Sequence, residues 1–149
     1  MRKIENRDSA RAGAWAVIYC TKTGKVLLGK RSSRVNKGGA WNLFGGRVDE
    51  GELPKEALLR ELEEEAGLSM AARRISKLDT VTRKSRTGKI ERKLHYYITK
   101  TKEEFSPDLN REHCDFGWFK VNQLPSRFNG PTLIAIKRGF LDRAIKNYY

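Results

Sequence analysis

GGRVDEGELPKEALLRELEEEAGL, residues 45–68, is the stretch on which the reading of this chain turns. The chain carries a formal net charge of +13, yet eight of its 18 acidic residues fall here: Asp49, Glu50, Glu52, Glu56, Glu61, Glu63, Glu64 and Glu65. From Gly46 to Leu68 they face only Arg47, Lys55 and Arg60, a local net charge of −5, so the remainder carries +18. Residues 53–67 read as a helix, with Pro54 at its start, where proline is tolerated, and Gly67 as its stop. On a wheel of about 100° per residue, Glu61, Glu64 and Glu65 share an arc of about 100°. That arc borders the apolar stripe of Leu58, Leu59, Leu62 and Ala66 instead of facing away from it. Like charges three and four residues apart repel, and in the last turn the helix dipole disfavours anions. A purely structural helix has no reason to accept both penalties. A hard divalent cation such as Mg²⁺ or Mn²⁺, which prefers carboxylate oxygens, offsets them.

Working outward, the 149 residues suit one domain, 1–149, long enough to bury a core, with about residues 1–11 as a flexible N-terminal tail. No apolar run is long enough to span a membrane, and MRKIENRDSARAG lacks a signal peptide's apolar core. Cys20 and Cys114 stand far apart, which reads as two reduced thiols in a cytoplasmic protein. AWAVIYC (14–20), KVLLGKR (25–31), WNLFGG (41–46), RISKLDTVTRK (74–84), KLHYYITKT (93–101) and FGWFKV (116–121) read as strands, the first two as a hairpin. SSRVNKGGA (32–40) reads as loop. Residues 131–149 place apolar side chains at 133, 134, 136, 140, 141, 144 and 145, the spacing of one one-sided helix. The fold class is α+β, a sheet with helices packed on it. Basic residues cluster in 30–34, 83–93 and 137–146; such a surface attracts polyanions, although a solvated surface accounts for scattered lysines.

Gly46, Glu52, Arg60-Glu61-Leu62, Glu64-Glu65 and Gly67-Leu68 spell G-x5-E-x7-R-E-L-x-E-E-x-G-L. This resembles the Nudix box with every constrained position filled, and the resemblance extends over all but about the first ten residues. It implies an α/β/α sandwich with a mixed β-sheet between helices, and a metal-dependent hydrolase of nucleoside diphosphates linked to a further group. By resemblance, Glu61, Glu64 and Glu65 hold Mg²⁺ or Mn²⁺ together with the carbonyl of Gly46, while Glu52 and Arg60 brace the loop against the helix. Asp49, Glu50, Glu56 and Glu63 are left as solvated bystanders. The general base is Glu64 in the box or a distal acid; Glu103, Glu104 and Glu112 are candidates, with Glu112 preferred. His95 and His113 read as packing or surface residues. Trp41, Phe44, Trp118 and Phe119 read as core.

Arg31 resembles the phosphate-binding arginine of the MutT-like branch, and Asn129 stands where that branch has a base-binding asparagine; as loop residues they are equally an exposed strand-end arginine and a turn former. The proline that marks ADP-ribose hydrolases is absent from VTRKSR (81–86), the tyrosine of diadenosine polyphosphate hydrolases is absent from SRTGK (85–89), and the coenzyme A signature diverges after its first residues. The usual FPGG reads LFGG (43–46). The MutT-like nucleotide pyrophosphohydrolases are the default. The alternatives are hydrolysis of RNA 5′ ends, suggested by the basic remainder, and a non-catalytic nucleotide-sensing domain, which an intact box disfavours. Nucleotide is the implied partner, RNA is a second, no membrane is implied, and many relatives form homodimers.

Overall fold

The computed structural model describes residues 11–146. Seven strands form one mixed sheet: β1 (Arg11–Cys20), β2 (Lys25–Arg31), β3 (Trp41–Asn42), β4 (Phe44–Arg47), β5 (Ser76–Lys84), β6 (Ile90–Thr101) and β7 (His113–Lys120). Three helices, α1 (Pro54–Ala66), α2 (Gly130–Lys137) and α3 (Phe140–Lys146), cover it. The expected tail lies outside the described residues except for Arg11, which opens β1.

The sheet is built on β1, which runs parallel to β6 over its full length, from Arg11 opposite Arg92 to Cys20 opposite Thr101. β5 closes that side, antiparallel to β6. On the other side the expected β1–β2 hairpin holds for only two pairs, Tyr19 with Val26 and Cys20 with Lys25. Beyond them the strands diverge and the segment 41–47 wedges between. β3 pairs with β2, and β4 pairs with β1, setting Gly46 opposite Ala14. WNLFGG is therefore two short strands that change neighbours at Leu43, not one. β7 lines the far edge of β2.

Alternation along β1 explains the layers. Ala14, Ala16 and Ile18 face α1, where they pack with Phe44, Leu58, Leu62, Ala66 and Tyr97. Trp15, Val17 and Tyr19 face α2 and α3 and pack with Leu43, Leu94, Tyr96, Phe140 and Leu141. Leu78 and Val81 in β5 reach the same face despite their odd spacing because Leu78 is the extra residue of a bulge. The α/β/α sandwich is thus as expected. α1 begins on Leu53, whose N–H is accepted by Glu56 Oε1 at 2.9 Å, and ends on Gly67 in the left-handed region at φ 67°.

The expected single C-terminal helix is two. Gly139, at φ 74°, breaks it, and the apolar spacing persists because α2 and α3 both rest on the same cluster. Residues 147–149 of that expectation lie outside the described ones. Both cysteines are free thiols, Cys20 buried and Cys114 exposed. No helix among the described residues is long and apolar enough to cross a membrane.

Two hydrogen bonds anchor α2: Thr132 Oγ1 accepts from Leu43 N–H (2.9 Å) and Tyr96 Oη donates to the Pro131 carbonyl (2.6 Å). Removing the second takes a hydrogen bond from a part-buried carbonyl, so Tyr96→Phe lowers unfolding free energy by about 1 kcal/mol in urea denaturation. Unchanged stability would show that this bond does not anchor the helix.

Candidate active site

Burial and close approach define the site before any chemistry is assigned. Gly46 lies against the Glu61 carboxylate, so closely that a Cβ there would overlap it. Gly45, at φ 148°, leaves no room for a side chain against the β1 backbone, and its N–H donates to Glu65 Oε1 at 3.1 Å. Two glycines thus let a strand and a carboxylate-bearing helix meet without side chains between them.

Glu65 is only 4% exposed, far more enclosed than a residue bordering the apolar stripe need be. Burial pushes its carboxyl up to about 9; the Gly45 N–H opposes this, and the charges of Glu61 and Glu112 add to it. Burial likewise raises Glu61 to about 7, opposed by Arg60 and reinforced by Glu64, Glu112 and Asp49. Glu112, distant in sequence, therefore acts on the same two carboxyls. It is carried there by the loop before β7, which docks on the end of α1 through Asp108 N–H to the Ala66 carbonyl (2.8 Å). The Glu112 carbonyl then accepts from Ser32 N–H at 2.9 Å.

Arg60 joins the parts. Its Nε donates to Glu52 Oε2 (2.8 Å) and its Nη2 to Glu52 Oε1 (3.0 Å) and to the Arg47 carbonyl (3.1 Å). Its guanidinium also lies 3.3 Å from Asp49, 3.5 Å from Glu61 and 3.4 Å from Glu64. Asp49 is therefore no bystander, since its N–H also donates to Glu52 Oε1 (2.8 Å). Glu56 is not one either, since it caps α1. The Asp49 role depends on how the loop folds back, which side-chain type does not reveal, whereas the Glu56 cap is local to the start of α1.

Among the described residues, no three acidic, histidine or cysteine side chains already converge on one point. Glu64, more than half exposed, leans to Arg60, and Glu65 to the Gly45 N–H. Gly46, Glu52, Arg60, Glu61, Glu64 and Glu65 are nonetheless gathered at the junction of β4 and α1, with Glu112 acting on it. Glu103 is elsewhere: it pairs with Lys22 (3.4 Å) in the β1–β2 turn, at the other end of β1 from Ala14.

Arg31 ends β2, its Nε bonded to the Asn36 carbonyl (2.7 Å) and its charge felt at Glu65. A cavity of about 680 Å³ opens beside it, lined by Lys30, Ser32, Ser33, Arg34 and Cys114. A bulge at Arg31, where Cys114 is the extra residue, re-aims this corner. Asn129 is the N-cap of α2, its Oδ1 accepting from Thr132 N–H (3.2 Å), which is the turn role open to any such asparagine. His113, which looked like an ordinary packing residue, is buried against Phe44, with Nε2 3.2 Å from Asn42 Oδ1. Burial, and then Arg31, hold it down to about 4, so it stays neutral. Asn42, also buried, was missed; nothing local marks either residue as half of a buried pair 71 residues apart.

A mixed sheet between helices, with a carboxylate helix abutting a glycine strand, is the architecture of one domain class, and sequence comparison names it. The NUDIX domain matches residues 10–142, and the chain belongs to that family. An 8-oxo-dGTP diphosphatase of Proteus vulgaris is 38% identical over 66 residues, 44% of this chain and 57% of that protein. An RNA pyrophosphohydrolase of Shewanella sediminis is 41% identical over 61 residues, 41% of this chain and 33% of that protein. These matches span well under two thirds of either relative. The crystal structure of a MutT NUDIX hydrolase from Burkholderia pseudomallei superposes with a TM-score of 0.67 at 30% identity, covering 87% of this chain and 97% of that one.

The Arg60 fork holds the Glu52 carboxyl down to about 2, from an ordinary 4.5, with the Asp49 N–H as second cause. A depressed carboxyl contributes stability that is whole above pH 4.5 and is lost as pH falls toward 2. In Arg60→Lys, which cannot make the fork, the NMR titration midpoint of Glu52 rises by about one unit or more. An unmoved midpoint would show that the fork is not its cause.

Proposed function

We propose that this chain hydrolyses a diphosphate linkage in a nucleotide, a nucleoside diphosphate joined to a further group, with nucleoside triphosphates as the first substrates to test. The observation that carries this is the close approach of Gly46 to Glu61 and of Gly45 to Glu65 inside an intact Nudix box. Without a metal such a site has no evident purpose: two enclosed carboxyls, one turn apart on α1, repel each other against a strand that only glycine lets so close. The residue types fit a hard cation, offering carboxylates and a backbone carbonyl and no soft ligand. Gly46, Glu61, Glu64 and Glu65 would hold Mg²⁺ or Mn²⁺, which when bound neutralises diphosphate charge and acidifies a water.

The chain's own residues supply the rest. Glu112 or Glu64 accepts the proton of the attacking water; Glu112 is favoured because Glu64 is engaged by Arg60 while the charge of Glu112 already reaches Glu61 and Glu65. Arg31, beside a basic cavity, receives phosphate oxygens in its planar fork. Asn129 orients the base through the part of its amide not spent on the α2 cap. Glu52 and Arg60 hold the loop before α1 and touch no reacting atom. Free thiols at Cys20 and Cys114 agree with a cytoplasmic setting, and a homodimer is the assembly we would look for.

A second reading, removal of pyrophosphate from RNA 5′ ends, draws support from the +18 charge outside the box and from the likeness to an RNA pyrophosphohydrolase.

The test is release of phosphate or pyrophosphate from a panel of nucleoside triphosphates, nucleotide sugars, dinucleotides and 5′-triphosphorylated RNA with Mg²⁺ or Mn²⁺. Wild-type protein cleaves at least one. In Glu65→Gln, which keeps an oxygen for the Gly45 N–H and so keeps the fold, kcat falls by roughly 100-fold or more. No cleavage of any diphosphate under either metal would favour a nucleotide-sensing domain. Near-normal turnover in the variant would remove Glu65 from the ligand set.

A further inference from the structure

On the sheet face opposite α1, arginines stand in register where charge repulsion should have removed them. Arg83 of β5 is opposite Arg92 of β6, and Arg92 is opposite Arg11 of β1. Paired residues on neighbouring strands share a face, so three guanidinium groups run side by side across three strands, about 5 Å apart at the backbone. Arg47 of β4 continues the row, opposite Gly13 and two residues along β1 from Arg11. Like charges directly opposite destabilise a sheet. Among the described residues none of these four has a carboxylate partner, whereas Arg60 and Arg143 do. Arg138, at the end of α2, adds to the field: the Tyr96 hydroxyl feels Arg92, Arg138 and Arg83 together.

The row is also recessed. Arg11, Arg47 and Arg92 line a cavity of about 250 Å³ whose floor includes Gly13 and Trp15. The Trp15 ring lies over Gly13, in the space a Cβ would need. A solvated surface has no use for such a line, and a recess admits a thin anionic chain but not a flat lipid surface. We infer that the Arg83–Arg92–Arg11–Arg47 row binds the phosphodiester backbone of a single-stranded RNA. The row ends at Arg47, next to Gly46 in the chain but on the opposite face of the sheet, so a bound strand would have to pass the end of β4 to reach the box. The placement of a 5′ end beside the box rests on the second reading above; the docking of the strand does not.

The experiment isolates docking from catalysis. A 3′-fluorescein-labelled decauridylate with a 5′-hydroxyl, which offers no diphosphate, is titrated with full-length protein and followed by anisotropy. At about 0.7 released ions per phosphate contact, four contacts give a log–log salt slope near −3, roughly a 50-fold loss of affinity from 50 to 200 mM salt. In Arg83→Gln/Arg92→Gln the affinity at low salt falls at least ~10-fold and the slope drops to about −1.5. The melting temperature of that variant stays level or rises, since repulsion is relieved, and its mononucleotide hydrolysis is unchanged. Arg73→Gln, off the row, binds as wild type. No binding by wild type at 50 mM salt, equal affinity in the double variant, or capture of the protein by phosphatidylserine vesicles without decamer binding would each overturn the inference. A chain that binds the decamer through these arginines yet cleaves no nucleotide keeps this inference and loses the hydrolase reading.

Discussion

One guanidinium, that of Arg60, is set among four carboxylates, and the geometry of the site depends on it. Glu52, Asp49, Glu61 and Glu64 would otherwise repel one another across the gap between the loop after β4 and the face of α1. The fork onto Glu52 and the bond to the Arg47 carbonyl fold that loop back onto the helix. The loop in turn fixes where β4 ends, and so where the backbone of Gly46 meets Glu61. Asp49 and Glu64 are exposed and none of the five charges is fully buried, so the cluster adds little to net stability. Its effect is positional.

The second constraint is the divergence of β1 from β2. A hairpin continued along its length would have filled the sheet and left no place for the glycine strand. The segment 41–47 enters that gap, and only Gly45 and Gly46 allow it to approach both β1 and α1. Glu65, only 4% exposed inside this junction, meets little water, and that burial raises its carboxyl to about 9. Enclosure of that kind strengthens each charge interaction made there.

Much of this was legible where the signal is local. The helix 53–67, its proline start and its glycine stop follow from periodicity and capping, and the box follows from fixed spacing along that one element. Long-range placement was not legible. Nothing in WNLFGG shows that its two halves serve different strands, and the break at Gly139 is hidden by apolar spacing that both helices share. Asp49 read as a free acid because its partner, Arg60, comes within reach only when the loop closes. Glu112 was named as a candidate base, but only the docking of Asp108 on the end of α1 explains how it comes to act on Glu61 and Glu65. The row of arginines joins positions as far apart as 11 and 92 and exists only in the registers of β6 with β1 and β5.

The central claim is that this crowded junction is a divalent-metal site. Anomalous diffraction at the manganese edge from crystals soaked in MnCl₂ tests it directly. The account predicts the strongest peak between the carboxylates of Glu61, Glu64 and Glu65 and in contact with the Gly46 carbonyl. A well-ordered crystal with no peak there, or with manganese only at other acidic residues, would contradict it.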